Sequence, residues 1–171
     1  YVWELPFFSN RDNRLLYNTL GGWQISGSTR LATRVPLTVT RQVNTANSFG
    51  QGPTLRPDLT GDPEDAPGTV EQFFNTSAFV PVAQLPRGIY GNMPRGAVSG
   101  PAQANTDVSV TRTFGLPGPQ GLRFQFRGEL SNAFNQVNFN SPNTNRSSGS
   151  FGRITGASSG RIGQLAVKLL W

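Results

Sequence analysis

The chain contains no cysteine and no histidine. The first absence removes disulfides, thiolate nucleophiles and zinc–thiolate sites. The second removes the commonest general base and the commonest metal ligand, so neither an enzyme nor a bound cofactor is expected. Charged residues make up only 14 %, and lysine is all but missing, with Lys168 standing alone beside 14 arginines. The net charge of +6 would attract nucleic acid or anionic headgroups if it were concentrated. The arginines are scattered instead, and no phosphate-cradling glycine loop or RNA-binding aromatic signature accompanies them, so no nucleic-acid partner is expected. Also missing is any apolar run near the ~20 residues of a membrane-spanning helix, which leaves a closed barrel as the one way to cross a bilayer. No secretory signal is visible, and the opening Tyr1-Val2-Trp3-Glu4 lacks an initiator methionine, as expected of a piece of a longer protein.

What fills the chain is turn-forming and polar. There are 20 glycines and 13 prolines in 171 residues, hydrophobic residues reach only 36 %, and aromatics stand at 11 %, with 12 phenylalanines. That is too polar for a helical or α/β enzyme and too aromatic for a disordered chain. It suits an all-β chain whose strands are separated by long polar loops.

Period-2 alternation marks five strands, near 1–5, 22–32, 106–114, 122–134 and 161–171. In the first, Tyr1, Trp3 and Leu5 oppose Glu4 before Pro6 ends it. In the second, Trp23, Ile25, Gly27 and Leu31 oppose Gln24, Ser26, Ser28 and Arg30. The third sets Val108, Val110 and Phe114 against Asp107, Ser109, Thr111 and Thr113, and Arg112 interrupts its apolar face. The fourth is the clearest: Leu122, Phe124, Phe126, Gly128 and Leu130 oppose Arg123, Gln125, Arg127, Glu129 and Ser131. The last sets Leu165, Val167, Leu169 and Trp171 against Gln164, Ala166 and Lys168, and it ends flush on an aromatic. Its length matches the roughly 9–11 residues of a tilted membrane strand, and an indole is at home at headgroup level. A half-buried strand of a soluble domain has the same alternation.

The connections separate these readings. A Gly/Pro turn, 115–121, joins the third strand to the fourth, and a modest polar segment with a helical turn or two over 14–20 joins the first to the second. By contrast, roughly seventy residues separate the second and third strands and about twenty-five the fourth and fifth, lengths unusual for compact soluble domains. Alternating the strands up and down puts both short connections on one side and both long ones on the other. Short periplasmic turns and long outer loops are the asymmetry of an outer-membrane barrel. The expected fold is therefore all-β, with antiparallel up-and-down strands forming the C-terminal part of a large transmembrane barrel, and 1–171 as a portion of that single domain. A secreted β-sandwich binding or adhesion module is the alternative, because alternation alone fits both.

Three further motifs carry little. Gly156-Ala-Ser-Ser-Gly160 matches the nucleophile-elbow pattern, but no histidine exists to act as base; a flexible loop is the better reading. Asp58, Asp62, Glu64 and Asp65 offer oxygen ligands for Ca²⁺ without EF-hand spacing, which favours a solvated loop. Phe73, Phe74, Phe79, Ile89 and Tyr90 interrupt a polar loop. Packing against a barrel rim suits them better than ligand contact.

Several of these stretches resemble one family, the TonB-dependent receptor-like outer-membrane barrels of the Oar type found in acidobacteria, at their C-terminal end. The resemblance runs through Glu4-Leu-Pro-Phe7, Gly21-Gly-Trp-Gln-Ile-Ser-Gly27, Arg56-Pro-Asp-Leu-Thr-Gly-Asp-Pro63 and Phe74-Asn-Thr-Ser-Ala-Phe79. It continues in Tyr90-Gly-Asn92, in Arg95-Gly96 through Gly100-Pro101 and in Phe151-Gly-Arg-Ile-Thr155. It is densest across Leu122-Arg-Phe-Gln-Phe-Arg-Gly-Glu-Leu-Ser-Asn-Ala-Phe-Asn-Gln-Val-Asn-Phe139. Gln164, Ala166, Leu169 and Trp171 resemble the signal read by the barrel-assembly machinery, with Ala166 in place of the usual glycine. The resemblance implies a wall-forming, loop-bearing segment of a receptor that takes up a large, unidentified nutrient, coupled to the TonB system through N-terminal regions missing here. Lipid would meet Trp23, Ile25, Leu122, Phe124, Phe126, Leu130, Leu165, Val167, Leu169 and Trp171. The lumen would meet Gln24, Arg30, Arg123, Gln125, Arg127, Glu129 and Lys168.

Overall fold

Residues 1–7, 17, 20–42, 55–84, 90–116 and 121–171 are described by a computed structural model. The strands are β1 (Val2–Glu4), β2 (Trp23–Ala32), β3 (Pro36–Leu37), β4 (Val98–Ser99), β5 (Gln103–Gly115), β6 (Arg123–Ser131) and β7 (Ile162–Leu170). They form a five-stranded sheet in the order β1-β2-β5-β6-β7 and a separate β3-β4 pair. The pairings β1–β2, β3–β4, β5–β6 and β6–β7 are antiparallel. The fold is thus all-β and antiparallel, and consecutive strands of the large sheet are its neighbours once β3 and β4 are set aside. The chain forms two compact units, one of Tyr1–Leu31, Ala104–Val137 and Ser159–Trp171, the other of Ala32–Gln103 and Asn138–Ser158.

In the sheet unit, the ends of β5 and β6 differ from the alternation. β5 begins at Gln103, ahead of its first apolar residue, because backbone pairing does not need apolar side chains. Asp107 anchors this end: its Oδ1 accepts from Asn105 Nδ2 at 3.0 Å and from the Asn132 N–H at 2.9 Å. β6 stops at Ser131 although the apolar period runs on to Phe134. Asn132 and Asn135 take φ of 51° and 53°, a left-handed conformation that asparagine tolerates better than most residues. Asn132 Oδ1 accepts from the Gln136 N–H at 2.9 Å, and its Nδ2 donates to the Gln136 and Ser159 carbonyls. The turn is closed by side-chain bonds that compete with the ladder, and Phe134 is left exposed. In β2, Gly27 permits close approach: a Cβ there would lie 2.4 Å from the Asp107 carbonyl oxygen and 2.6 Å from Tyr1 Oη.

The second unit is built from the two long connections. The described part of the seventy-residue stretch has almost no strand, yet it holds a core of Val39, Phe74, Ala78, Phe79, Met93 and Val98, with Leu37, Leu59, Ala97 and Phe151 packed against it. Phe74, Phe79 and Phe151 form a triangle of edge-to-face rings with centroids 5.1–5.7 Å apart, the arrangement that ring quadrupoles favour. Two of those rings come from the first connection and one from the second. Backbone bonds stitch the same two segments: Phe73 N–H to Gly152 O and Ile154 N–H to Val70 O at 2.9 Å, and Arg146 N–H to Thr40 O at 2.8 Å. Arg146 also donates from Nε and Nη2 to the Phe79 carbonyl at 3.3 Å while lying over the Phe151 ring. Phe74 and Phe79 therefore pack in a core internal to the loops, where a rim contact was expected. Burial of each contributes about 1.5–3 kcal/mol.

The helical turn expected over 14–20 lies mostly outside the described residues, as do the middle of the 115–121 turn and Ile89. Among the described residues, the only ladder besides the five-stranded sheet is the short β3–β4 pair. A sandwich needs two facing sheets of comparable extent, and that arrangement is not found.

Candidate functional site

Side chains alternate across a strand, and the strand registers decide which of them share a face. Trp3 pairs with Ile25, and Glu4 with Gln24. Val108, Val110, Arg112 and Phe114 pair with Leu130, Gly128, Phe126 and Phe124. Phe124, Phe126 and Gly128 pair in turn with Leu169, Val167 and Leu165. Trp23 joins this face through an edge-to-face contact with Phe126, 6.1 Å between centroids. Thr29 Oγ1 meets Thr106 Oγ1 on the same side at 3.2 Å. Leu122, one step before β6, continues its apolar alternation, and Trp171, one step past β7, continues that of its strand.

The opposite face is mostly polar, with Leu170 and Ile162 at the two ends of β7 as exceptions. Ser109, Thr111 and Thr113 pair with Glu129, Arg127 and Gln125; Gln125, Arg127, Glu129 and Arg123 pair with Lys168, Ala166, Gln164 and Leu170. Gln125 Nε2 donates to Thr113 Oγ1 at 3.3 Å, and Arg127 forms an ion pair with Glu129 along the strand. Gln24 and Arg30 share the polar alternation of β2. The Arg127–Glu129 pair and the Gln125–Thr113 bond give this face its polar contacts.

Among the described residues the apolar face is half-buried along its middle strands and open along its outer ones. Leu165, Val167, Leu169, Trp171 and Trp3 are 76, 62, 49, 93 and 54 % exposed. Neighbouring apolar side chains left open over several strands mark a surface made for something other than water. The face is also graded. Trp23, Phe114, Phe124 and Phe126, with Leu169 and Trp171 beside them, gather where β2 and β6 begin and β5 and β7 end. Val108 and Leu130 occupy the other end, with Leu165 and Val167 between. Aromatics at one border of an apolar band are the pattern of a bilayer interface. The residues were visible in the sequence, but their alignment into one border depends on register.

Arg112 is the exception on that face, and its geometry resolves the break seen in the sequence. The residue is 5 % exposed. Its guanidinium lies 4.2 Å from the Phe114 centroid and 5.6 Å from that of Trp23, and Nη2 donates to the Tyr17 carbonyl at 2.9 Å. Ring faces and a carbonyl oxygen substitute for water around the charge.

In the loop unit, the four acids serve separate bonds. Asp58 Oδ1 accepts from the Asn92 N–H at 2.8 Å, Asp62 Oδ1 from the Glu64 N–H at 2.9 Å, and Glu64 Oε1 from the Ser99 N–H at 2.6 Å. Glu64 also faces Arg34 at 3.6 Å. No cluster of metal-ligating side chains occurs among the described residues. The segment with the nucleophile-elbow pattern is a bridge: Ala157 pairs with Phe139, and Ser158 N–H donates to the Asn138 carbonyl. Phe73 is half-buried and Tyr90 is exposed.

A family model described as an outer membrane beta barrel domain matches residues 1–164. Residues 165–171 lie beyond that span. No match was found among curated proteins or among solved structures.

Proposed function

The chain belongs to the outer membrane beta barrel domain family, and from that premise we propose that its sheet is part of the C-terminal wall of a TonB-dependent receptor of the Oar type. Membership places the chain in the outer membrane. The observation that carries the wall reading is the uncovered apolar face, with Leu165, Val167 and Leu169 open beside Phe124, Phe126 and Leu130. On this reading Trp23, Ile25, Leu122 and Trp171 meet lipid with them. Gln24, Arg30, Arg123, Gln125, Arg127, Glu129 and Lys168 line the lumen. The aromatic border of Trp23, Phe114, Phe124 and Phe126 then sits at the periplasmic interface, and the two long connections are extracellular.

Five strands cannot close on themselves at this size. A plugged transporter barrel has roughly 22 strands, so β1 and β7 would each pair with strands supplied from outside these residues. Gln164, Ala166, Leu169 and Trp171 would present β7 to the barrel-assembly machinery. Uptake of a large nutrient, driven through the TonB system, is the role that the resemblance supports for the whole receptor; the residues in hand contribute wall and loops. The reading frame upstream of Tyr1 tests it. A plug domain preceded by an energy-coupling box is expected there. A frame with neither would leave an outer-membrane barrel and remove the transporter.

A further inference from the structure

We propose that the loop unit carries a binding site for an acidic saccharide, in the groove lined by Thr38, Thr40, Arg56, Tyr90, Gly91 and Arg95. The groove has a volume of about 690 Å³, within the roughly 300–1,000 Å³ of small-ligand sites. Its chemistry is one-sided. Two guanidinium groups, two hydroxyls and a phenol line it, with Leu55 as the lone large aliphatic residue and no carboxylate.

The two arginines come from distant segments that the backbone holds together. The Met93 N–H donates to the Pro57 carbonyl at 3.3 Å, and the Asn92 side chain accepts from the Leu59 N–H at 2.7 Å. Gly91 lies so close to the other segment that a Cβ would meet the Arg56 carbonyl oxygen at 2.1 Å; any other residue would push the two walls apart. On the far side the Gly96 N–H donates to Thr38 Oγ1 at 2.9 Å, which ties the residue after Arg95 to the third wall. Asp58, the acid nearest Arg56 in the chain, accepts at Oδ1 from the Asn92 N–H instead. Neither Arg56 nor Arg95 forms an ion pair with an acid among the described residues.

Guanidinium forks recognise carboxylate or phosphate oxygens in pairs. Hydroxyls of Thr38 and Thr40 suit a polyhydroxylated ligand, and the 64 % exposed Tyr90 offers a flat face and a phenol for a ring to lie against. An apolar ligand would leave these groups unpaired, and a neutral sugar would leave the charge unused. The site depends on the loop unit alone, so its failure would leave the wall reading intact.

The test uses the whole chain in detergent micelles and isothermal titration with trigalacturonate, glucose 1,6-bisphosphate and, as the neutral match, maltotriose. Binding of an acidic probe that weakens with added salt is expected, with Arg56→Gln and Arg95→Gln each weakening it roughly tenfold. Because Arg95 is exposed, its substitution should leave folding intact, and Arg95→Lys should fall between wild type and Arg95→Gln. Preference for the uronate assigns the site to carboxylates, and preference for the bisphosphate to phosphates; either supports it. Failure of both acidic probes, equal binding of maltotriose, or unchanged affinity in both glutamine variants overturns it.

Discussion

The Arg112 guanidinium stacks 4.2 Å from the centre of the Phe114 ring, two residues further along the same face of β5. A charge on an otherwise apolar face is costly unless its surroundings replace water. Here two rings and the Tyr17 carbonyl do so.

Replacing Arg112 with leucine tests which side of that balance wins. The substitution forfeits a charge-assisted bond worth about 1.5–3 kcal/mol and cation–π contacts of about 0.5–2 kcal/mol. Against this, an arginine near the interface of a barrel wall costs only about 0–1 kcal/mol. Arg112→Leu should therefore destabilise the folded protein by about 2 kcal/mol in urea titrations followed by tryptophan fluorescence in lipid vesicles. Increased stability would mean that the guanidinium is a burden and that the contacts do not repay its desolvation.

Two adjacent residues on opposite faces of β7 separate a membrane wall from a soluble sheet. Arginine on a lipid-facing position near mid-bilayer costs about 2–4 kcal/mol, whereas lumen positions tolerate it. Leu165 and Gln164 are both exposed in the chain, so in water neither substitution should matter much. Leu165→Arg should block or weaken vesicle insertion while Gln164→Arg inserts normally. Equal behaviour of the two would remove the lipid assignment of the Leu165 face.

What could be read in advance follows from the range of the interaction. Alternation in β6 and β7 is local, and Phe124, Phe126, Leu165, Val167 and Leu169 carry it in plain view. The end of β6 is equally local but is decided by backbone conformation: the left-handed Asn132 halts a pattern that Phe134 would have continued. The loop core was not legible, because Phe74 and Phe79 meet Phe151 across a long separation and without any period. The same holds for the Arg56–Arg95 groove, whose walls are joined by backbone contacts such as Gly91 against Arg56.

The loop core should behave as a unit of its own. Phe79 is fully buried, and Phe→Ala at such a site typically costs about 3–5 kcal/mol. The sheet unit keeps its own ladder and side-chain bonds, so the loss should be confined to the loops. Phe79→Ala is expected to speed proteolytic cleavage within 55–84 and 138–158 at least tenfold. Fragments containing β6 and β7 should remain resistant. Phe134→Ala, at a 71 % exposed position, should change neither. Cleavage spreading into β6 would show that sheet and loops unfold together.

Trp171 offers the sharpest separation of assembly from stability. It follows the last paired residue of β7, Leu170, and is 93 % exposed, so its indole contributes little packing within the chain. Trp171→Ser should shift the urea midpoint in detergent by no more than a surface substitution does, within about 0.5 kcal/mol. If Trp171 is read during assembly, the same variant should lower the amount of folded protein in the outer membrane several-fold when the complete barrel protein is expressed in cells. That amount can be measured by the heat-modifiable mobility of the barrel on gels. Ala166→Gly, which restores the glycine of the assembly signal that these residues resemble, should leave assembly unchanged or raise it. A Trp171→Ser protein that assembles as well as wild type would leave β7 as wall alone, with recognition lodged elsewhere in the barrel.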